Sequence, residues 1–197
     1  MNSRVLTAAA TTAVAAALAV AAPSVGSAPE AARMAAPRTQ LTLDFTGCNG
    51  CELRLTQARD GHDHVWQSKS RTVRHGSVSW SIPTSRTHGL SITVGAPWDG
   101  GGGYVPTIAF RYAGERVGDE VTNAVAKTKR KASACWAGTG DDAVTIAVTV
   151  VRARSTNPAG DPIRTPRAFT TTTQDWQKPM ARAWHGISGT QEVTYCG

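Results

Sequence analysis

Cys48-Asn49-Gly50-Cys51 constrains this chain more than any other stretch. It ends one alternating segment and starts another. Leu41, Leu43 and Phe45 alternate with Thr42, Asp44 and Thr46 before it, and Leu53 and Leu55 alternate with Glu52, Arg54 and Thr56 after it. A period of two marks two strands, each with one buried face. Asn-Gly between strands is the strongest short hairpin signal. A two-residue hairpin nevertheless conflicts with the alternation. It would set Cys48 opposite Cys51 and Leu43 opposite Thr56, and the two apolar sets would fall on different faces. Either of two arrangements removes the conflict. One is a three-residue loop with Gly50 in a left-handed bulge. The other is a corner where the chain passes from one sheet to a second, and this is the preferred reading.

The four cysteines, Cys48, Cys51, Cys135 and Cys196, take their meaning from the N-terminus. Arg4 precedes an uncharged run, Val5 to Ala22, and small residues follow at Val25-Gly26-Ser27-Ala28. This pattern predicts a secretory signal peptide over residues 1–27. A retained anchor is the alternative, since the run approaches the ~18 residues of a membrane span. Export places the cysteines in an oxidising compartment, so an even count reads as disulfides. Cys48–Cys51 and Cys135–Cys196 are the expected pairs. On loop entropy the long closure contributes about 4 kcal/mol and the short one about 2. A redox centre would need its first cysteine at a helix start, whereas Glu52 to Gln57 alternates like a strand.

Residues 28–40, rich in Ala and Pro, are expected to be a flexible tail, and 41–197 a single β-rich domain. Further strands are predicted at Val65-Trp66, Val78 to Ile82, Leu90 to Val94, Ile108 to Tyr112, Val144 to Val150, Ala168 to Thr173 and Glu192 to Cys196. Trp98 to Pro106, which holds the four consecutive glycines Gly100 to Gly103, and Arg152 to Pro166 read as loops. Between Gly118 and Cys135 the period changes. Val121, Ala124, Val125, Thr128 and Ala132 fall on one helical stripe, which predicts one short helix over about 119–133. Asp119 and Glu120 at its start and Lys127, Lys129, Arg130 and Lys131 at its end suit a helix dipole. The fold class is therefore mainly β, a disulfide-stapled β-sandwich with one short helix. Gly76 to Pro83 followed by Gly89 to Val94 resembles the closing strands of transthyretin-like and Cna-B-like sandwich modules, which implies a sandwich and no particular activity.

Function is read from what the surface offers. The chain carries 21 Lys and Arg against 14 Asp and Glu, a net charge of +7. Loss of Arg4 with the signal peptide leaves 20 against 14, or +6. A basic bacterial exported protein is drawn to anionic wall polymers or acidic protein partners; nucleic acid and stable membrane insertion are not expected. No nucleophile elbow, zincin, phosphate-loop or dinucleotide motif is present, so an enzyme is not the expected reading. Asp141-Asp142 precedes a strand and is expected to cap it in solvent. His62-Asp63-His64 offers too few ligands for a metal, and no cofactor is expected. Trp66 and Trp80 read as core, and Trp136 as packing on the Cys135 disulfide.

Trp98, Trp176 and Trp184 with Lys178, and the basic run Lys127, Lys129, Arg130 and Lys131, are the candidate partner-binding residues. The expected function is a secreted, non-enzymatic binding or adaptor module of an extracellular assembly or the cell surface. Two alternatives stand beside it. One is a protease inhibitor presenting Gln177-Lys178-Pro179-Met180. The other is a wall-directed hydrolase whose acid and base come from separate strands.

Overall fold

The computed structural model describes residues 36–57, 65–100, 106–128, 131–180 and Cys196. The predicted signal peptide, residues 28–35 of the tail, His62 to His64, Gly101 to Gly103 and residues 192–195 lie outside the described residues.

Order along the chain begins inside the expected tail. Strand β1 runs Arg38–Thr46, and β2 Glu52–Gln57. Short β3 (Trp66–Gln67) and β4 (Arg71–Thr72) precede β5 (Ser77–Pro83), a single 3-10 turn and β6 (Leu90–Gly95). Then come β7 (Ile108–Ala109), β8 (Arg111–Tyr112), helix α1 (Asn123–Thr128) and β9 (Ala132–Ser133). A long hairpin of β10 (Ala143–Thr156) and β11 (Pro162–Thr170) follows. The first sheet has the order β5-β1-β10-β11-β7. In the second, β2 pairs with β6 along one side and with β3 and β4 along the other. β8 and β9 form a separate ribbon.

The two sheets share one core, which makes the molecule a sandwich. Leu41, Leu43, Ile146 and Val148 of the first sheet and Leu53, Leu55, Ile92 and Val94 of the second belong to a single buried cluster. Alternation decides which residues enter it, because successive side chains leave a strand on opposite faces. Full burial of each of these side chains contributes roughly 1.5–3 kcal/mol. A smaller cluster of Ala109, Tyr112, Val121, Ala126, Ala132 and Phe169 lies on the other side of the first sheet, under α1.

The corner reading holds. β1 belongs to the first sheet and β2 to the second, and the two do not pair. The turn chemistry explains it. Gly50 has φ 82° while Asn49 is not among the residues with positive φ. One positive φ at the third turn position suits a type II turn, whereas the hairpin-forming type I′ turn needs two. The Val73 carbonyl accepts the Gly50 N–H at 3.0 Å, and the Val73 N–H donates to the Cys51 carbonyl at 2.8 Å. Gly47 has φ 86°, and a Cβ there would collide with the Val150 carbonyl oxygen. Only glycine lets β1 pass so close to β10.

Several expectations change. Arg38 to Gln40 are not part of a flexible tail, because they pair with β5 and Thr39 is fully buried, its hydroxyl donating to the Asp141 carbonyl at 2.9 Å. Helix α1 spans six residues and not 119–133. The Thr122 side chain caps it, accepting the Val125 N–H at 3.2 Å, so Asp119 and Glu120 precede the helix. Ala132 ends up in β9, held by pairing to Tyr112. Arg152 to Pro166 is not a loop. β10 and β11 stay in register out to Thr156 and Pro162, and only residues 157–161 turn. The Ile108–Tyr112 strand breaks at Phe110, whose N–H turns away to the Ser133 carbonyl.

The outer edge of the first sheet is closed. Among the described residues, strand β5 borders only β1. Arg71 donates to the Ser79 carbonyl, Arg38 to the Ser81 carbonyl, and Ser77 bridges to Arg74. Guanidinium groups thus occupy the acceptors that an incoming strand would need, a common defence of edge strands.

Candidate binding surface

Both disulfides have the expected connectivity. Cys48–Cys51 (Cα–Cα 5.6 Å) stands at the corner, with Cys51 fully buried, and Cys135–Cys196 (5.3 Å) spans 61 residues. Trp136 does not pack on the second disulfide. It belongs to the main core, while Cys135 and Cys196 form a small cluster with Ala134 and Met180. Trp136 is fully buried, stacks near Phe110 at 6.1 Å and meets Trp176 edge-on at 5.8 Å. Its indole N–H donates to the Trp176 carbonyl at 3.1 Å. A buried indole needs such an acceptor.

The candidate residues therefore divide among different parts of the fold. Trp176 is half-buried and serves the core through Trp136. Lys178 is exposed, but its carbonyl accepts the Ala137 N–H at 2.8 Å, and the Met180 N–H donates to Cys135 at 3.1 Å. Gln177 is buried. Lys127 is exposed on the last turn of α1, and Lys131 is exposed ahead of β9. Lys129, Arg130 and Trp184 lie outside the described residues. Asp141 and Asp142 are exposed ahead of β10, and the Asp141 carboxylate accepts the Thr139 hydroxyl at 2.9 Å.

Trp98 leads to a feature that the sequence reading passed over. β1 pairs with β10 only as far as Thr46 opposite Thr149. Beyond that point, among the described residues, β10 and β11 continue as a two-stranded arm. Its turn is tied by Asn157, whose side chain accepts the Asp161 N–H at 2.8 Å and donates to the Asp161 carboxylate at 3.0 Å. Arg154 stands directly opposite Arg164, and Arg152 opposite Pro166. Opposed residues share a face, and so do residues two apart on one strand. Arg152, Arg154 and Arg164 thus lie on one face, all exposed.

The arm is supported from below. The Arg152 guanidinium sits 4.7 Å from the Trp98 ring centroid, and Trp98 packs against the core. The Gly100 N–H donates to the Arg164 carbonyl at 2.8 Å. A recess of about 270 Å³ is bounded by Arg154, Pro162, Ile163 and Arg164. The signal in the sequence was Val151-Arg152-Ala153-Arg154-Ser155, which alternates without large apolar residues.

The loop that carries Trp98 also borders a cleft of about 230 Å³ on the outer side of the second sheet. Glu52, Arg54, Ser70, Thr93 and Asp99 contribute to it. Arg54 is anchored there, donating to the Ser70 hydroxyl at 3.1 Å and to the Gln67 side chain at 3.4 Å.

One buried cation stands at the base of the arm, opposite Val151 and on the face turned away from Arg152, Arg154 and Arg164. Arg167 is 6 % exposed, and its contact to the Asn123 side chain is 3.3 Å. Burial holds its pKa below the ordinary arginine value, and nearby Tyr112 opposes that only in part. Among the described residues no group of three or more His, Cys, Asp or Glu is placed to hold a metal ion. No helix among them is long and apolar enough to cross a membrane. No known protein family, curated protein or solved structure matches the chain.

Proposed function

We propose that this is an exported, non-enzymatic binding module that engages its partner through the arginine-bearing arm of β10 and β11. One observation carries the reading: Arg154 faces Arg164 across the hairpin. Like charges directly opposite one another weaken a strand pair, so nothing in folding alone favours that choice. The repulsion is relieved when an anionic partner binds. The two disulfides fit an oxidising compartment and so support export. Gln177-Lys178-Pro179-Met180 supports an inhibitor less well, because its backbone is engaged by Cys135 and Ala137 and a presented loop needs that backbone exposed.

Retention of envelope and culture-supernatant components on immobilised protein tests the reading. The wild type should retain a component that Arg154→Ser/Arg164→Ser loses by about tenfold or more, the scale of one hydrogen bond to a charged group. Equal retention by the two proteins overturns it.

A hydrolase is the second reading, and the cleft is what favours it. Glu52 and Asp99 come from a strand and a loop and border one space, as an acid–base pair requires. Clearing of wall material by the wild type and not by Glu52→Gln or Asp99→Asn would replace the first reading with this one.

A further inference from the structure

We propose that the arm takes a linear polyanion, a glycan or polyol chain bearing phosphate or sulfate groups, laid along the face that carries Arg152, Arg154 and Arg164. This rests on the binding reading above and adds the partner's chemistry.

The spacing argues for a chain of charges. Arg152 and Arg154 are two residues apart on one strand, a rise of about 6.8 Å, and Arg154 and Arg164 are opposed with Cβ atoms about 5 Å apart. Three cations therefore form a short row at the rim of the sandwich. All three are arginine, whose planar fork fits a tetrahedral oxyanion through two hydrogen bonds. Arg152 is pre-oriented by the Trp98 ring at 4.7 Å, and this lowers the ordering cost of binding. The rigid Asn157–Asp161 turn acts in the same direction.

The same observations favour a glycan or polyol over single-stranded nucleic acid. Strand-binding proteins present aromatic rings on which bases stack. Here Trp98 is packed against the core with Arg152 over its ring. Between Val151 and Arg167 the arm contains no aromatic residue.

The experiment titrates the oxidised full-length mature protein with synthetic poly(glycerol phosphate), dextran sulfate, neutral dextran and oligo-dT over a range of salt. Binding to one or both charged polymers is expected, and the polymer that binds identifies the source of the oxyanion. Neutral dextran should not bind. Displacing counterions from three sites on a flexible chain gives a slope of log K against log salt of about −2. Affinity should then fall roughly 20-fold from about 50 to 200 mM salt. Arg154→Ser/Arg164→Ser should reduce the slope to about −0.7. Its thermal midpoint and intact disulfides show that the variant is folded.

Oligo-dT binding as tight as either polymer, or an unchanged slope in the double variant, overturns the proposal. So does an absence of binding to both charged polymers. If that absence coincides with envelope retention that still depends on Arg154 and Arg164, the polyanion is wrong and the binding module stands. If retention ignores both arginines, the binding module falls as well.

Discussion

Arg164→Thr should stabilise the protein while weakening its binding, and Arg152→Thr should destabilise it. The opposite signs follow from two arginines on one face with different surroundings. Arg164 faces Arg154 across the hairpin. Their stems are flexible, so the guanidinium groups can splay to about 8 Å, where repulsion in water is about 0.5 kcal/mol. That matches the usual cost of a like-charge cross-strand pair, about 0.2–1 kcal/mol. Threonine also suits a pleated strand. For a chain of this size, 0.5 kcal/mol corresponds to a rise in Tm of about 1–2 °C. The electrostatic part should be fully present at about 0.01 M salt and gone at about 1 M, where the Debye length is only ~3 Å. Arg152 instead lies over Trp98. Its removal forfeits about 0.5–1 kcal/mol of cation–π attraction, so Tm should fall by about 1–4 °C. Differential scanning calorimetry of the two variants at low and high salt measures both. The reasoning is refuted if the two changes shift Tm in the same direction. It is also refuted if the gain from Arg164→Thr is identical at both salt concentrations.

Other perturbations probe the frame. Gly47→Ala should cost at least about 2 kcal/mol, because the left-handed backbone alone costs about 1–2 and the new methyl meets the Val150 carbonyl; a urea midpoint within error of wild type would contradict this. Replacing Cys135 and Cys196 by serine should cost about 4 kcal/mol, and replacing Cys48 and Cys51 about 2, on loop entropy. Denaturation of the two variants gives the ranking, and the reverse order would count against that model. Arg167→Met should raise stability by about 1 kcal/mol, since a buried cation with a neutral partner carries a desolvation penalty. The folded pKa lies below the unfolded one, so the penalty is fully present at every pH below the folded value. It is relieved only as pH rises through the arginine range, and the gain should therefore be constant from about pH 5 to 9.

The sequence announced the strands whose apolar residues alternate. β1, β2, β5, β6 and the first half of β10 were legible for that reason, and the parity clash around Asn49-Gly50 was enough to indicate a corner. Where a buried position is polar, the pattern fails. Arg38-Thr39-Gln40 has no apolar residue, yet Thr39 is buried through a hydroxyl hydrogen bond, so β1 starts earlier than alternation suggests. Ala132 fits a helical stripe and a strand equally well, and its pairing with Tyr112 decides between them. The arm was hidden because Val151-Arg152-Ala153-Arg154 pairs through its backbone with Arg164-Thr165-Pro166-Arg167, and a register is invisible until both strands are placed. Of the candidate site, Trp98 was legible as a tryptophan beside a glycine run. Its partner Arg152 was not, because 54 residues separate them.

Net charge was a poorer guide than the position of each charge. Arg38 and Arg71 are held by the carbonyls of Ser81 and Ser79. Arg54 is held by Ser70 and Gln67, and Arg86 by Gln57 and the ring of Trp66. Each of these guanidinium groups contributes to the long-range field, but part of its donor set is already used by the chain. Attraction at a distance depends on the sum, and contact depends on the geometry of a few groups. The two should therefore separate in kinetics. Arg116→Ser removes an exposed charge outside β10 and β11 and should lower the association rate for a polyanion while leaving dissociation unchanged. Arg164→Thr removes the same unit of charge and should also accelerate dissociation. Surface plasmon resonance on both variants reads the split. Identical effects on dissociation would mean that the partner responds to net charge and that the opposed arginines of the arm have no special part in holding it.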